Sequence, residues 1–119
     1  MKRFESLKKN KDFVTVYNSG KSLANRYLVM YIRKNDLPYN RVGISVSKKV
    51  GNSVVRHRVT RLIRESNRLH ADVIVTGYDI VVIARPSVKG KGFLEVESAF
   101  LHLAKLHHLL IEVNQGENC

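Results

Sequence analysis

The sequence predicts a small α/β sandwich with one mixed sheet and the element order α-β-β-α-β-α. Three observations lead there. Tyr27 to Arg33 and Arg41 to Ser47 alternate with a period of two, whereas Tyr78 to Arg85 is apolar on both faces. Apolar residues return at helical spacing around Phe13, from Val55 onward and from Val96 onward. The 119 residues, 44% hydrophobic, suffice for one compact domain with a single core. The expected organisation is one domain over 1–119, with a basic arm at 1–9 and a polar tail at 112–119.

The first helix is expected to start at Asn10, a good N-cap, with Asp12 suiting the dipole of the first turn. Ser19-Gly20 ends it after about ten residues. Phe13 and Tyr17, four apart, share one of its faces. In the first strand Leu28, Met30 and Ile32 read as core, while Tyr27, Val29, Tyr31 and Arg33 form a wetter face. Asn35 to Pro38 is a turn. The second strand is expected to pair with the first as an antiparallel hairpin. Its Val42, Ile44 and Val46 join the core, and Gly43, Ser45 and Ser47 leave a shallow trough of small residues on the other face.

Gly51 permits an unusual backbone angle, and Asn52 or Ser53 caps the helix that follows. On that helix Val59, Leu62, Ile63, Ser66 and Leu69 share a narrow apolar face. Arg56, His57, Thr60, Arg61, Arg64 and Arg68 occupy the opposite arc, with Arg58 on the flank. His70 to Gly77 is a connector, Tyr78 to Arg85 a covered central strand, and Pro86 its stop. Val96, Ala99, Phe100, Leu103, Leu106 and Leu110 make the last helix.

Charge is polarised along the chain. Of the formal net charge of +11, residues 1–68 contribute 17 − 4 = +13 and residues 69–119 contribute 4 − 6 = −2. The stretch from Arg41 to Arg68 alone holds eight basic side chains against Glu65, a net of +7. Such density points to a polyanion, since neutralised phosphates release condensed counterions. Aromatic side chains among the cations fit unpaired bases, which stack on any aromatic face.

Several classes are disfavoured. There is no GxxxxGK or GxGxxG phosphate loop, and the acids are scattered rather than paired. His102, His107 and His108 lack companion ligands at metal spacing and read as ordinary, partly exposed histidines. The sole cysteine, Cys119, is terminal and suits a reducing compartment. Without a signal peptide or a long apolar run, a soluble cytoplasmic protein is expected, with no membrane partner. From the residues alone the reading stops at an RNA-binding α/β domain. A DNA reader and a small enzyme compete with it, and no helix-turn-helix spacing favours DNA.

The ordered motifs add to this. RVGISVSKKVGNSVVRHRVTRLIRE, Arg41 to Glu65, resembles the signature of the bacterial ribonuclease P protein component. Lys9 to Phe13, Ala24-Asn25-Arg26 and Ile83 to Pro86 resemble further segments of that family in its order. Two positions depart from the family pattern: His57 stands where Asn is usual, and Thr60 where Lys is usual. A histidine replaces one amide hydrogen bond but not the paired donor and acceptor.

The resemblance implies a ribosomal protein S5 domain 2-like fold with a left-handed β-α-β crossover. It also implies an accessory subunit of an endoribonuclease whose catalyst is a large RNA. The holoenzyme would remove the 5′ leader of precursor tRNA with Mg2+ held chiefly by that RNA, with no catalytic residue or metal ligand on the protein. Lys48, Lys49, Asn52, Arg56, His57, Arg58, Arg61, Arg64 and Arg68 would then face the catalytic RNA. Phe13, Tyr17, Val29, Tyr31, Arg33 and Ser45 would line a cleft for the leader. The other reading is an RNA-binding module of another ribonucleoprotein, without a processing role.

Overall fold

A computed structural model describes residues 4–111. The expected polar tail with Cys119, and the first three residues of the arm, lie outside the described residues. In chain order the elements are β1 (Phe4–Ser6), α1 (Asn10–Ser19), β2 (Lys21–Ala24), β3 (Leu28–Lys34), β4 (Asn40–Ser45), α2 (Ser53–His70), β5 (Tyr78–Ala84) and α3 (Phe93–Leu106). Short 3-10 turns follow α2 at Ala71–Val73 and β5 at Pro86–Val88. The expected α/β sandwich is present with all three helices, and two further strands flank the sheet.

The five strands run in the spatial order β1-β4-β5-β3-β2. β3 pairs antiparallel with β5 and with β2, while β4 pairs parallel with β5 and with β1. One expectation is corrected here. β3 and β4 do not form a hairpin, because β5 inserts between them with Leu28 opposite Ala84 on one side and Ser45 opposite Ile83 on the other. A strand apolar on both faces gains most at the centre of the sheet, and that preference outweighs the short β3–β4 connection. Within the basic arm Phe4–Ser6 is extended and adds to the sheet edge beside β4, and Leu7 is buried.

β4, α2 and β5 form a β-α-β crossover between neighbouring parallel strands, the unit that the resemblance places around the basic helix. α2 and α3 cover one face of the sheet. Val59 and Ile63 from α2, and Val96, Phe100 and Leu103 from α3, pack on Leu28, Met30, Ile32, Ile80 and Val82. Each fully buried side chain of this size contributes about 1.5–3 kcal/mol of transfer free energy. α1 covers only part of the other face, where Val16 meets Leu7 and Val81 in a smaller cluster.

Local departures have identifiable causes. The cap of α1 is Lys9 rather than Asn10, and no side chain bonds the first turn. Asn52 does cap α2, its Oδ1 accepting from the Val55 N–H at 3.0 Å. On α2, Asn67 is buried and Leu69 is 46% exposed, the reverse of the expected face, because the helix meets the sheet slightly rotated. α3 stops at Leu106, with His108 at φ 60, so Leu110 pairs with Ile74 instead of continuing the helix. Tyr27 lies before β3 and packs on the core of the α2/α3 face rather than joining Val29 and Tyr31. His107 is buried, its Nε2 2.9 Å from the Met30 carbonyl oxygen, so it is a structural histidine and not a surface one.

Candidate nucleic-acid interface

The basic surface is built by the β4–α2 connection. Val50 is almost completely buried and its N–H bonds the Ser47 carbonyl at 3.0 Å, which turns Lys48 and Lys49 outward. At Gly51 a Cβ would stand 2.7 Å from the Val55 side chain, so the chain passes too close to α2 for any other residue. The first turn of α2 contains no acid, leaving its positive dipole end unopposed.

Beyond the cap, the buried Val59, Ile63, Ser66 and Asn67 hold α2 against the sheet. His57, Arg58, Arg61 and Arg64 are exposed. The Arg56 stem is half-buried, and its Nε is enclosed without a hydrogen-bond partner. Thr60 Oγ1 donates to the Arg56 carbonyl at 2.9 Å, so its hydroxyl is turned back onto the helix. A groove of about 420 Å3 runs where Ile44 and Val46 meet Arg56, His57, Arg61 and Arg64.

Not every cation of the stretch is available. Arg41 donates to buried Asp79 through Nε at 2.8 Å and Nη2 at 2.6 Å, and its Nη1 reaches Asp12 of α1 at 3.5 Å. Arg68, expected on the RNA-facing ridge, is paired with Glu65 three residues before it. By contrast Lys48, Lys49, Arg56, Arg58, Arg61 and Arg64 make no ion pair among the described residues.

The second surface lies between α1 and the sheet. Strand register sets its floor in rows. Gly43, Val81, Tyr31 and Ser22 form one row across the sheet, and Ser45, Ile83, Val29 and Ala24 the next. The ring of Tyr17 meets Tyr31 edge-on at 5.1 Å between centroids, and Phe13 lies 6.3 Å from Tyr17. Burial pushes the Tyr17 phenol above its usual range. A hydrogen bond with Ser45 acts against this, and neighbouring Tyr31 adds to the rise.

Gly43 lets Phe13 sink onto the strand, since a Cβ there would stand 2.5 Å from the Phe13 ring. The expected cleft residues Phe13, Tyr17, Val29, Tyr31 and Ser45 therefore come together, all half-buried. Arg33 lies at the cleft's end in the row of Arg41 and Asp79, and its Nε donates to Ser19 Oγ at 2.8 Å.

Ile83 and the Arg41–Asp79 pair were not anticipated as parts of this region. The legible signal was Asp79 itself, one acid inside the apolar strand YDIVVIA, because a buried carboxylate requires a cationic partner. Burial pushes the Asp79 carboxyl upward, but hydrogen bonds from Arg41 and Asn35 and the charges of Arg41 and Arg33 bring it below its usual range.

Fold and surfaces together define a class: a small α/β protein with unneutralised cations on one face and an aromatic cleft on the other, without a metal-ligand cluster among its described residues. A family model for ribonuclease P matches residues 1–107, and the chain belongs to the ribonuclease P protein component family, whose members are subunits of an endoribonuclease holoenzyme. The ribonuclease P protein component of Lachnoclostridium phytofermentans is 60% identical over 114 residues, covering 96% of this chain and 98% of that protein. That of Alkaliphilus metalliredigens is 54% identical, covering 92% and 99%. Among solved structures, the ribonuclease P protein of Staphylococcus aureus superposes with a TM-score of 0.83 at 40% identity, covering 88% of this chain and 96% of that one. The Thermotoga maritima protein gives 0.79 at 38% identity, with 86% and 96% covered.

Proposed function

We propose that the chain docks on the catalytic RNA of ribonuclease P through α2 and the Lys48-Lys49 turn, and holds the 5′ leader of precursor tRNA in the cleft under α1. The observation that carries this reading is that β4 is shared by both surfaces. Ile44 and Val46 line the groove along α2, while Gly43 and Ser45 lie in the cleft floor. A structured RNA on one face and a single strand on the other would be held one strand's thickness apart. Half-buried aromatic rings suit unstacked bases better than a duplex groove, which favours a single strand over duplex DNA.

The protein's carboxylates do not fit a magnesium site at this place. Asp12 and Asp79 converge on Arg41, which donates twice to Asp79 and also reaches Asp12, so a cation already occupies the space between them. The reading therefore leaves Mg2+ and the bond-breaking chemistry to the RNA, with the protein binding and orienting the substrate in the cytoplasm. Among the described residues no helix is long and apolar enough to cross a membrane.

Reconstitution tests the proposal. Protein alone should leave precursor tRNA intact, and protein added to the cognate catalytic RNA should raise leader removal at low magnesium. Cleavage by the protein without RNA, or an unchanged rate with both present, overturns it.

A further inference from the structure

We propose that the groove between the turn entering β3 and the first half of α3 is a separate binding site for one nucleotide of single-stranded RNA. It lies on the α2/α3 side of the sheet, away from the leader cleft, and does not depend on that cleft's assignment.

The groove has a volume of about 400 Å3, within the range of small-ligand clefts (~300–1,000 Å3). Its apolar part is Tyr27, half-buried against the core, and Leu94, which at 76% exposed is the most exposed large apolar side chain among the described residues. Leu94 has no packing role that explains it. The Arg26 guanidinium and the Lys91 ammonium each lie 5.7 Å from the centre of the Tyr27 ring.

The hydrogen bonds around Asn25 define what the groove offers. Asn25 Oδ1 accepts from the N–H groups of Tyr27 at 3.2 Å and Leu28 at 3.0 Å, which fixes the orientation of the amide. Its Nδ2 donates to the Ala99 carbonyl at 2.9 Å and faces His102 Nδ1 at 3.1 Å. An amide nitrogen only donates, so His102 Nδ1 accepts and the ring carries its proton on Nε2. That N–H has no partner among the described residues, and His102 is exposed. Ser98, four residues earlier on the same helix face, is exposed, and its hydroxyl has no partner among the described residues.

The acid in the groove wall, Glu95, has Oε1 committed to the Gly92 N–H at 2.7 Å. Arg85 Nη1 donates to the Asn25 carbonyl at 2.7 Å, which ties the turn to the end of β5. The groove thus combines an aromatic and aliphatic floor with cations at its rim and donors along one wall. Phosphate pairs with Arg26 and Lys91, a base lies on Tyr27 and Leu94, and Ser98 and His102 donate to acceptors on the base edge or ribose. An acidic peptide would meet the same cations and donors, but a nucleotide adds a flat base to lie on Tyr27 and Leu94.

The test is NMR titration of the full-length chain with a single-stranded RNA tetranucleotide, reading the Leu94 methyls and the His102 ring. Both are expected to shift in a saturable way. Arg26→Ala should weaken this event about fivefold and lower its slope of log affinity against log salt by about 0.7. Phe13→Ala should leave it unchanged. The proposal is overturned if Leu94 and His102 stay still while cleft signals saturate, or if Arg26→Ala has no effect. It is equally overturned if an acidic tetrapeptide moves these signals more strongly than the RNA does.

Discussion

Replacing Arg41 with methionine should destabilise the protein by about 2–4 kcal/mol at pH 7 while leaving the cations of α2 in place. Asp79 is 2% exposed and receives two hydrogen bonds from Arg41, at 2.8 and 2.6 Å, with a third from Asn35 at 2.9 Å. Removing one partner of a fully buried pair costs about 3–5 kcal/mol. The Arg41 side chain is 29% exposed and Asn35 keeps its bond, so the lower figure applies. Urea denaturation followed by far-UV circular dichroism measures the loss, as the chain has no tryptophan to report it.

The pH dependence makes the prediction sharper. In the wild type the Asp79 carboxyl sits below its usual range, so its stabilisation is complete above the ordinary aspartate value of about 3.9 and is lost as pH falls through the depressed one. Without Arg41, burial dominates and raises the carboxyl, so the variant loses stability as pH rises through that raised value. The gap between the two proteins should therefore be widest near neutrality and narrow toward pH 3. A gap below about 0.5 kcal/mol at pH 7, or one constant from pH 7 to pH 3, refutes the role given to this pair.

Three further perturbations probe the two surfaces. Tyr31→Ala should weaken binding of precursor tRNA by about 1–3 kcal/mol and mature tRNA much less, and equal losses in a filter-binding comparison would remove Tyr31 from the cleft. Arg61→Ala should reduce the salt dependence of assembly with the catalytic RNA by about one ion, whereas Arg68→Ala, whose guanidinium is paired with Glu65, should change it far less. Gly43→Ala drives a methyl to within 2.5 Å of the Phe13 ring, so stability should fall by about 1–3 kcal/mol and leader affinity should fall with it. Retained leader affinity in that variant would show that Phe13 does not need its seat on β4.

Strong periodicity made the three helices, β3 and β5 legible before any coordinates. β1 and β2 were not, for a physical reason. They are three and four residues long, and all of β2 is exposed, so neither carries the apolar alternation that marks a half-buried strand. Strand order was hidden too: the β3–β4 link suggests a hairpin, and only the demand of β5, apolar from Ile80 to Ala84, for two neighbours reverses it.

At the site, spacing placed Phe13 with Tyr17 on one helix face and Arg56, His57, Arg61 and Arg64 on one arc of α2, whereas the grouping of Tyr31 with the first pair came from the family resemblance. Charge density did not reveal which cations are already spent. Arg68 could have been set aside from its three-residue spacing to Glu65. Arg41 could not, since Asp79 becomes its neighbour only through the parallel register of β4 and β5.

The central position of β5 has a consequence for how the molecule comes into being. β3 with α1, and β4 with α2, touch neither strand to strand nor in register until β5 lies between them. During synthesis the ribosome has therefore released both halves, and a local net charge of +13 over 1–68, before the strand that joins them emerges. Until then β1 can pair with β4 and β2 with β3, but the edges of β3 and β4 that face β5 lack their neighbour. Residues 78–84 complete the sheet, so both surfaces depend on this one strand.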